Sequence, residues 1–179
     1  GPVRALPVAA LAGIDCGGWF GPAFAGETLP TLAQALAAIA ELGLGANVEL
    51  KADPGLEADL ARDAAEAVRA VGRAPGRLLF SSFSQPALAA LADLAPDIPC
   101  GLLVGALPPD WRAAAERLGC VSVHPDHRKL TPAGARAVKD AGYLLAAYTV
   151  NAPAEARRLL SWGVDSIITD RPDLMRDLR

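Results

Sequence analysis

The sequence is poor in the side chains that most often build metal and redox centres. It has two histidines, His124 and His127, and three widely separated cysteines, Cys16, Cys100 and Cys120. There is no CxxC motif and no zinc-type spacing, and two histidines are too few for a histidine-based metal cluster. Cys100 and Cys120 each begin an apolar run, where a cysteine is usually a small buried hydrophobic residue. This cysteine usage favours a reducing, cytoplasmic setting.

Further absences narrow the class of protein. No run of five basic residues occurs and the formal net charge is −3, which argues against a nucleic-acid partner. No apolar stretch is long enough for a transmembrane segment, and residues 1–4 do not resemble the start of a signal peptide. With 52% hydrophobic and 21% charged residues, the sequence predicts a soluble globular protein with a single domain over residues 1–179.

What the sequence does contain is a regular alternation of helices and short apolar strands, after a Gly- and Pro-rich loop region at residues 1–30. Six strands are predicted, at residues 45–51, 77–80, 100–104, 120–124, 143–149 and 164–169. Continuous apolar strands separated by helices are typical of a parallel sheet. No GxGxxG motif follows a strand, which argues against the usual nucleotide-binding sheet. A (β/α)₈ barrel and an open doubly wound sheet both remain compatible with this α/β pattern.

Local signals predict where several helices begin. Asp53, followed by Pro54, predicts the N-cap and first residue of a helix that runs to Val71. Asn151 and Asp170 each stand just before a predicted helix and are good N-caps. We therefore expect these polar side chains to be used mainly in capping.

Polar residues recur at the predicted carboxyl ends of the strands, where both architectures place their functional sites. Glu49 and Lys51 lie two residues apart on one face of a strand and are costly to bury unless paired or bound. Two interpretations remain open: an ion pair at a strand end, or a metal-binding carboxylate beside an ammonium group that meets an anionic substrate. His124, at another strand end, and His127, just after it, are expected to be solvated loop residues.

Several segments occur in a distinctive order along the chain. They are FAGETLPTL (residues 24–32), NVELK (47–51), LTP (130–132), YTVN (148–151) and WGVDSIITDRP (162–172). Together these segments resemble the glycerophosphodiester phosphodiesterase family, and the resemblance covers nearly the whole chain.

The resemblance implies a (β/α)₈ TIM barrel of the phospholipase-C-like phosphodiesterase type. Its implied reaction is the hydrolysis of a small-molecule glycerophosphodiester to glycerol 3-phosphate and an alcohol. It also implies a divalent cation, Mg²⁺ or Ca²⁺, with Glu49 as a metal ligand and Lys51 as a catalytic residue near the substrate phosphate. Phe83 and Tyr148 correspond to substrate-binding positions that wall the pocket, and Tyr148 stands where the family usually has tryptophan.

The resemblance further implies eight βα units, of which this chain matches units three to eight. Barrels of this type run to about 250 residues, so the chain is short by roughly 70 residues. We expect this chain to lack the first two units. It would therefore also lack the family's catalytic histidines and its other acidic metal ligands, which lie on those units. One alternative is a catalytically inactive barrel fragment that acts as a binding or structural module, completed by another chain or by self-association into a homo-oligomer. Another is a relative of the phospholipase D toxins.

Overall fold

The structure is a computed structural model that describes residues 5–71 and 77–178. The described chain forms two compact units. One contains residues 46–65 and 77–178, and the other contains the described residues of 1–45 and 66–76. Within the described ranges, no helix combines the length and the apolar character needed to cross a bilayer. The single domain over residues 1–179 stays a prediction.

Strands and helices alternate along the described chain. The strands are β1 (Ala46–Glu49), β2 (Leu78–Ser82), β3 (Cys100–Val104), β4 (Cys120–Pro125), β5 (Leu144–Ala147) and β6 (Ser166–Ile167). The α-helices are α1 (Val8–Leu11), α2 (Leu32–Glu41), α3 (Glu57–Ala70), α4 (Gln85–Leu94), α5 (Trp111–Arg117), α6 (Pro132–Asp140) and α7 (Pro153–Ser161). Short 3₁₀ helices cover Pro22–Phe24 and Pro172–Met175. The predicted α/β alternation is therefore confirmed.

All neighbouring strands of the sheet are parallel, and they are hydrogen-bonded in the chain order β1-β2-β3-β4-β5-β6. A doubly wound sheet reverses its strand order at a switch point. A barrel sheet instead adds each new strand beside the previous one. The sequential order excludes the doubly wound alternative and agrees with a partial barrel. The eight-unit barrel, with two units absent from this chain, stays a prediction.

The register of the strands gives one face of the sheet a polar row. Glu49 pairs with Ser81, Ser81 with Gly101, and Gly101 with Ser122. Ser81 and Ser122 are buried. Side chains in one row of a parallel sheet lie side by side, so these polar groups share one surface.

The opposite face is mostly apolar, although the buried Ser82 pairs with Leu102 on it. Leu102 pairs with Val123 and Val123 with Leu145, and each of these residues is at most 2% exposed. Cys100 and Cys120 are also paired, buried and free, as predicted. Burial, with a smaller contribution from Cys100, raises the pKa of Cys120 to about 12. Both thiols thus behave as small hydrophobic groups.

Short polar residues begin several of the helices. At the start of α2, Thr31 Oγ1 accepts the Gln34 amide at 3.2 Å, and Gln34 Oε1 accepts the Thr31 amide at 2.8 Å. Ser84 and Thr131 each accept an amide three residues further on, at 3.3 Å and 3.1 Å. These caps satisfy amides that have no acceptor within the helix, and they position the loops that follow the strands.

The predicted N-cap at Asp53 is wrong. Helix α3 begins at Glu57, because the Asp53 carbonyl oxygen accepts the Leu56 amide at 3.0 Å in a turn. Gly55 in this turn has a φ of +85°, which a helix cannot contain. The segment after β1 is therefore a turn, and it leaves Asp53 near the end of the strand.

The predicted N-caps at Asn151 and Asp170 are also wrong. Ala152 precedes α7, and Arg171 precedes the last 3₁₀ helix. The Asn151 side chain instead accepts the Thr169 hydroxyl at 3.0 Å and the Asp170 amide at 2.9 Å, and it donates to Asp170 Oδ2 at 3.0 Å. These two residues therefore join the chain after β5 to the chain after β6.

The close approach of β3 and β4 at Gly101 leads to a stability prediction. A Cβ atom at Gly101 would lie 2.7 Å from His124 Nε2 and 2.7 Å from Ser122 Oγ. Gly101→Ala should lower the free energy of unfolding by about 1–3 kcal/mol, as is typical of overpacking. Gly105→Ala is the matched control, because its Cβ would meet nothing within 4 Å. Denaturant titration of both variants measures the difference, and equal stabilities would contradict the close approach.

Candidate active site

Glu49 and Lys51 lie together at the carboxyl end of β1. Glu49 is the last residue of the strand, and Lys51 lies beyond it. Lys51 Nζ is 3.8 Å from Glu49 Oε2, and the two side chains are 80% and 34% exposed, respectively. An exposed pair of this kind typically contributes about 0–1 kcal/mol to stability. The structure therefore brings the two predicted residues together without giving them a large role in stability.

A surface cleft of about 670 Å³ opens beside this pair. Glu49 and Lys51 line it together with the turn that contains Asp53 and with Phe83 and Ser84, which follow β2. Its volume falls within the range of small-molecule sites. The carboxyl ends of parallel strands are also where such sheets bind their ligands.

Phe83 and Tyr148, the two predicted pocket residues, are in contact. Their rings pack edge to face with centroids 5.8 Å apart and planes at 88°. The Tyr148 hydroxyl donates to the Val104 carbonyl oxygen at 3.0 Å, which fixes the ring. Burial raises the pKa of Tyr148, and the negative charges of Asp126 and Glu49 raise it further. The aromatic pair therefore lies within the electrostatic field of the candidate site.

A buried carboxylate that the sequence analysis did not single out follows β4. Asp126 is 6% exposed, and its side chain accepts from Arg128 Nε at 3.0 Å and from Nη2 at 2.7 Å. These hydrogen bonds are the largest cause of a pKa lowered to about 2 for Asp126. A signal was available in the sequence, since an acid and a base two residues apart at a strand end repeat the spacing of Glu49 and Lys51.

The prediction that His124 is a solvated loop residue is wrong. Strand β4 continues to Pro125, so His124 lies within the sheet and is 2% exposed. Its Nε2 atom is 2.8 Å from Ser122 Oγ, and its Nδ1 atom has no hydrogen-bond partner in the described part of the chain. Burial lowers the pKa of His124 to about 4, which leaves the ring neutral at pH 7.

The prediction is also wrong for His127, whose side chain is only 18% exposed and is paired with another residue. His127 Nδ1 lies 3.3 Å from Glu155 Oε1, and Glu155 also accepts a hydrogen bond from Arg158. Neither His124 nor His127 lines the cleft beside Glu49. The geometry therefore gives neither histidine an acid–base role at that cleft.

The described residues do not form a complete site for a divalent cation. No group of three or more His, Cys, Asp or Glu side chains placed to hold a metal ion occurs in residues 5–71 and 77–178. Glu49 provides a carboxylate at the end of β1, but Mg²⁺ and Ca²⁺ take about six to eight oxygen ligands. Among the described residues, Glu49 is therefore the single predicted ligand for such a cation.

The buried state of His124 leads to a prediction about pH. The unfolded chain binds a proton at His124 below its usual pKa of 6.5, whereas the folded protein does so only near pH 4. The free energy of unfolding should therefore fall as the pH is lowered through this range, by up to about 3 kcal/mol from this residue. Denaturant titrations across the range should show a shallower fall for His124→Gln. An equal fall would contradict the pKa shift.

Comparison with known proteins identifies relatives along almost the whole chain. The model of the "Glycerophosphoryl diester phosphodiesterase family" matches residues 1–174. A glycerophosphodiester phosphodiesterase of Bacillus subtilis is 30% identical over 198 aligned positions, which cover 100% of this chain and 66% of the relative. One from Caldanaerobacter subterraneus is 32% identical and covers 92% of this chain and 68% of the relative. The chain thus spans about two thirds of the length of these relatives.

Solved structures agree with this match. A phosphodiesterase of Oleispira antarctica in complex with the product sn-glycerol-3-phosphate is 33% identical, with a TM-score of 0.94 over 99% of this chain and 72% of that one. A Silicibacter pomeroyi protein named "Putative glycerophosphoryl diester phosphodiesterase" is 25% identical, with a TM-score of 0.80 over 97% of this chain and 67% of that one. On the agreement of sequence and structure, the chain belongs to the glycerophosphoryl diester phosphodiesterase family.

Proposed function

We propose that the protein hydrolyses glycerophosphodiesters to glycerol 3-phosphate and an alcohol. The observation that carries the proposal is the placement of Glu49 and Lys51 in one cleft at the carboxyl end of a barrel-type sheet. The family supports the reaction class, and the Oleispira antarctica relative supports the product, because that structure contains sn-glycerol-3-phosphate.

Lys51 is proposed as the catalytic cation that meets the phosphate. A phosphodiester is an anion, and its hydrolysis places further negative charge on the phosphoryl oxygens in the transition state. The Lys51 ammonium is 80% exposed and only 3.8 Å from Glu49, so it can reach a ligand in the cleft without leaving the strand end. A fixed positive charge at this position stabilises the transition state more than the ground state.

Glu49 is proposed as one ligand of a divalent cation, either Mg²⁺ or Ca²⁺. Its carboxylate faces the same cleft as Lys51 and is 34% exposed, so it is accessible to an ion. Such a cation, when bound, neutralises charge on the phosphoryl oxygens. Because the described residues alone do not complete the site, Glu49 is assigned the binding of the ion and no other role.

Phe83 and Tyr148 are proposed to wall the substrate pocket. Phe83 is 53% exposed and lines the cleft, so its ring is available to the carbon atoms of a glycerol group. Tyr148 supports Phe83 from behind through the edge-to-face contact, and its hydroxyl is held by the Val104 carbonyl oxygen. An aromatic wall of this kind orients the non-reacting part of a small ligand.

A binding module without hydrolytic activity is the second candidate. It is favoured by the absence of a three-ligand metal group in the described ranges and by the position of both histidines outside the cleft. In that case the cleft would bind a glycerophosphate group and release it unchanged. Light scattering would show whether the chain associates with itself or with a partner chain.

The deciding experiment combines a hydrolysis assay with the variant Glu49→Gln. Release of glycerol 3-phosphate from glycerophosphoethanolamine, with added Mg²⁺ or Ca²⁺, is expected from the wild-type protein and should be lost in Glu49→Gln, because the amide is a poor ligand for a hard cation. Added Mg²⁺ or Ca²⁺ should also raise the melting temperature of the wild-type protein, and Glu49→Gln should not show this rise. Asp59→Asn is the control, since Asp59 pairs with Arg62 on α3 and does not line the cleft.

Two outcomes would count against these assignments. Full activity of Glu49→Gln would contradict the proposed role of Glu49 as a metal ligand but not the proposed reaction. Binding of glycerophosphoethanolamine without any turnover by the wild-type protein would replace hydrolysis with the binding-module function.

Lys51→Ala should lower kcat by at least tenfold while leaving the melting temperature within about 2 °C. The expected loss follows from removing a charge that acts on the transition state, where a single such contact is typically worth about 2–4 kcal/mol. Lys51→Arg keeps the charge and should retain more activity than Lys51→Ala. A change in kcat below about threefold for Lys51→Ala would reject the catalytic role.

A further inference from the structure

Arg128 is an exposed cation held at the end of β4 by a buried carboxylate. Its side chain is 76% exposed, whereas that of Asp126 is 8% exposed. Arg128 Nε lies 3.0 Å and 3.2 Å from the two Asp126 oxygens, and Nη2 donates to Oδ2 at 2.7 Å. The Arg128 amide also donates to Oδ1 at 3.0 Å. The guanidinium group is therefore held in a defined orientation, although most of it is exposed.

Asp126 occupies only one edge of this guanidinium group. An arginine side chain has five N–H donors, two of them on Nη1. No residue in the described part of the chain accepts a hydrogen bond from Arg128 Nη1. The edge formed by Nη1 and Nη2 is thus available, and its two parallel donors match the two oxygens of a carboxylate.

The anchor of this arginine adjoins the aromatic wall of the candidate site. Asp126 and Tyr148 form a parallel β-bridge, and Tyr148 packs against Phe83. Phe83 in turn lines the cleft with Lys51. Arg128 and Lys51 are therefore two cations beyond the carboxyl ends of strands of one sheet, and the contact between Tyr148 and Phe83 connects their surroundings.

The anchor also lies on the same face of the sheet as the cleft. Ser122 belongs to the polar row that begins at Glu49. Because side chains alternate along a strand, His124 and Asp126 share the face of Ser122. The positive charge of Arg128 lowers the pKa of Tyr148 while Asp126 and Glu49 raise it, which agrees with their common location.

We propose that Arg128 binds a carboxylate on the alcohol part of the substrate, so that the protein prefers glycerophosphodiesters of an amino-acid type of alcohol. This inference rests on the proposed function, in which Lys51 meets the phosphate. A monoanionic carboxylate suits the position better than a second phosphate, because the adjacent Asp126 carboxylate repels a dianion more strongly. Arg128 is then a specificity-determining residue.

Two substrates that differ by a single group test the proposal. Glycerophosphoserine and glycerophosphoethanolamine are identical except for the carboxylate of serine. The wild-type protein should have the higher kcat/KM for glycerophosphoserine, and Arg128→Gln should lower that value about tenfold, the usual size of one charge-assisted contact. The kcat/KM for glycerophosphoethanolamine should change less than about twofold. Lys129→Gln, which removes the neighbouring exposed cation, should leave the ratio of the two values unchanged.

Stability and binding measurements separate this role from a structural one. Arg128→Lys keeps a charge beside Asp126 but loses the two-donor edge, so it should fold and still lose much of the selectivity. Equal losses on both substrates, or an unchanged ratio in Arg128→Gln and Arg128→Lys, would overturn the proposal. If the wild-type protein hydrolyses neither substrate, the proposed function fails, and calorimetry of both compounds then decides. Tighter binding of glycerophosphoserine that Arg128→Lys abolishes would support the inference, and equal or undetectable binding would overturn it.

Discussion

The placement of the candidate site depends on the register of the parallel strands, because a parallel sheet brings together side chains that are far apart in sequence. Glu49, Ser81 and Ser122 share a row, and each comes from a different βα unit. A shift of β4 by one residue would exchange this row with the face that buries Val123 and would turn His124 and Asp126 to the opposite face of the sheet. The apolar packing of Leu102, Val123 and Leu145 therefore also positions the polar groups on the opposite face.

Burying polar and titratable side chains on the polar face of the sheet costs free energy. The sheet tolerates this cost because these side chains are either neutral or paired. Burial keeps His124 uncharged, and the hydrogen bonds from Arg128 stabilise the ionised form of Asp126. The orphaned Ser81 Oγ and His124 Nδ1 atoms show that this layer is not fully satisfied by protein groups among the described residues. Buried polar groups of this kind are expensive. The polar face therefore contributes less to stability than an apolar face of the same area would.

The order and type of the elements could be predicted from the sequence, because apolar runs alternate with helical segments and the strands pair with their nearest neighbours in the chain. The roles of Asp53, Asn151 and Asp170 could not, since Gly55 diverts the chain into a turn and Asn151 finds partners 18 and 19 residues away. The position of Glu49 at the end of a strand could be predicted, because partly buried and exposed side chains alternate along this short strand. The burial of His124 could not be predicted, because it depends on β4 continuing for one residue beyond its predicted end.

Tyr148 is the most firmly held side chain of the proposed substrate pocket. Its ring is fixed at both ends, by Phe83 at the edge and by the Val104 carbonyl oxygen at the hydroxyl group. In the proposed binding mode, the ligand extends past this ring, with its phosphate at Lys51 and its carboxylate at Arg128. An extended ligand that is anionic at both ends satisfies both cations, whereas a ligand with one anionic group leaves one of them in solvent. On this proposal, the two cations and the fixed aromatic pair would make the site selective for both the length and the charge of the substrate.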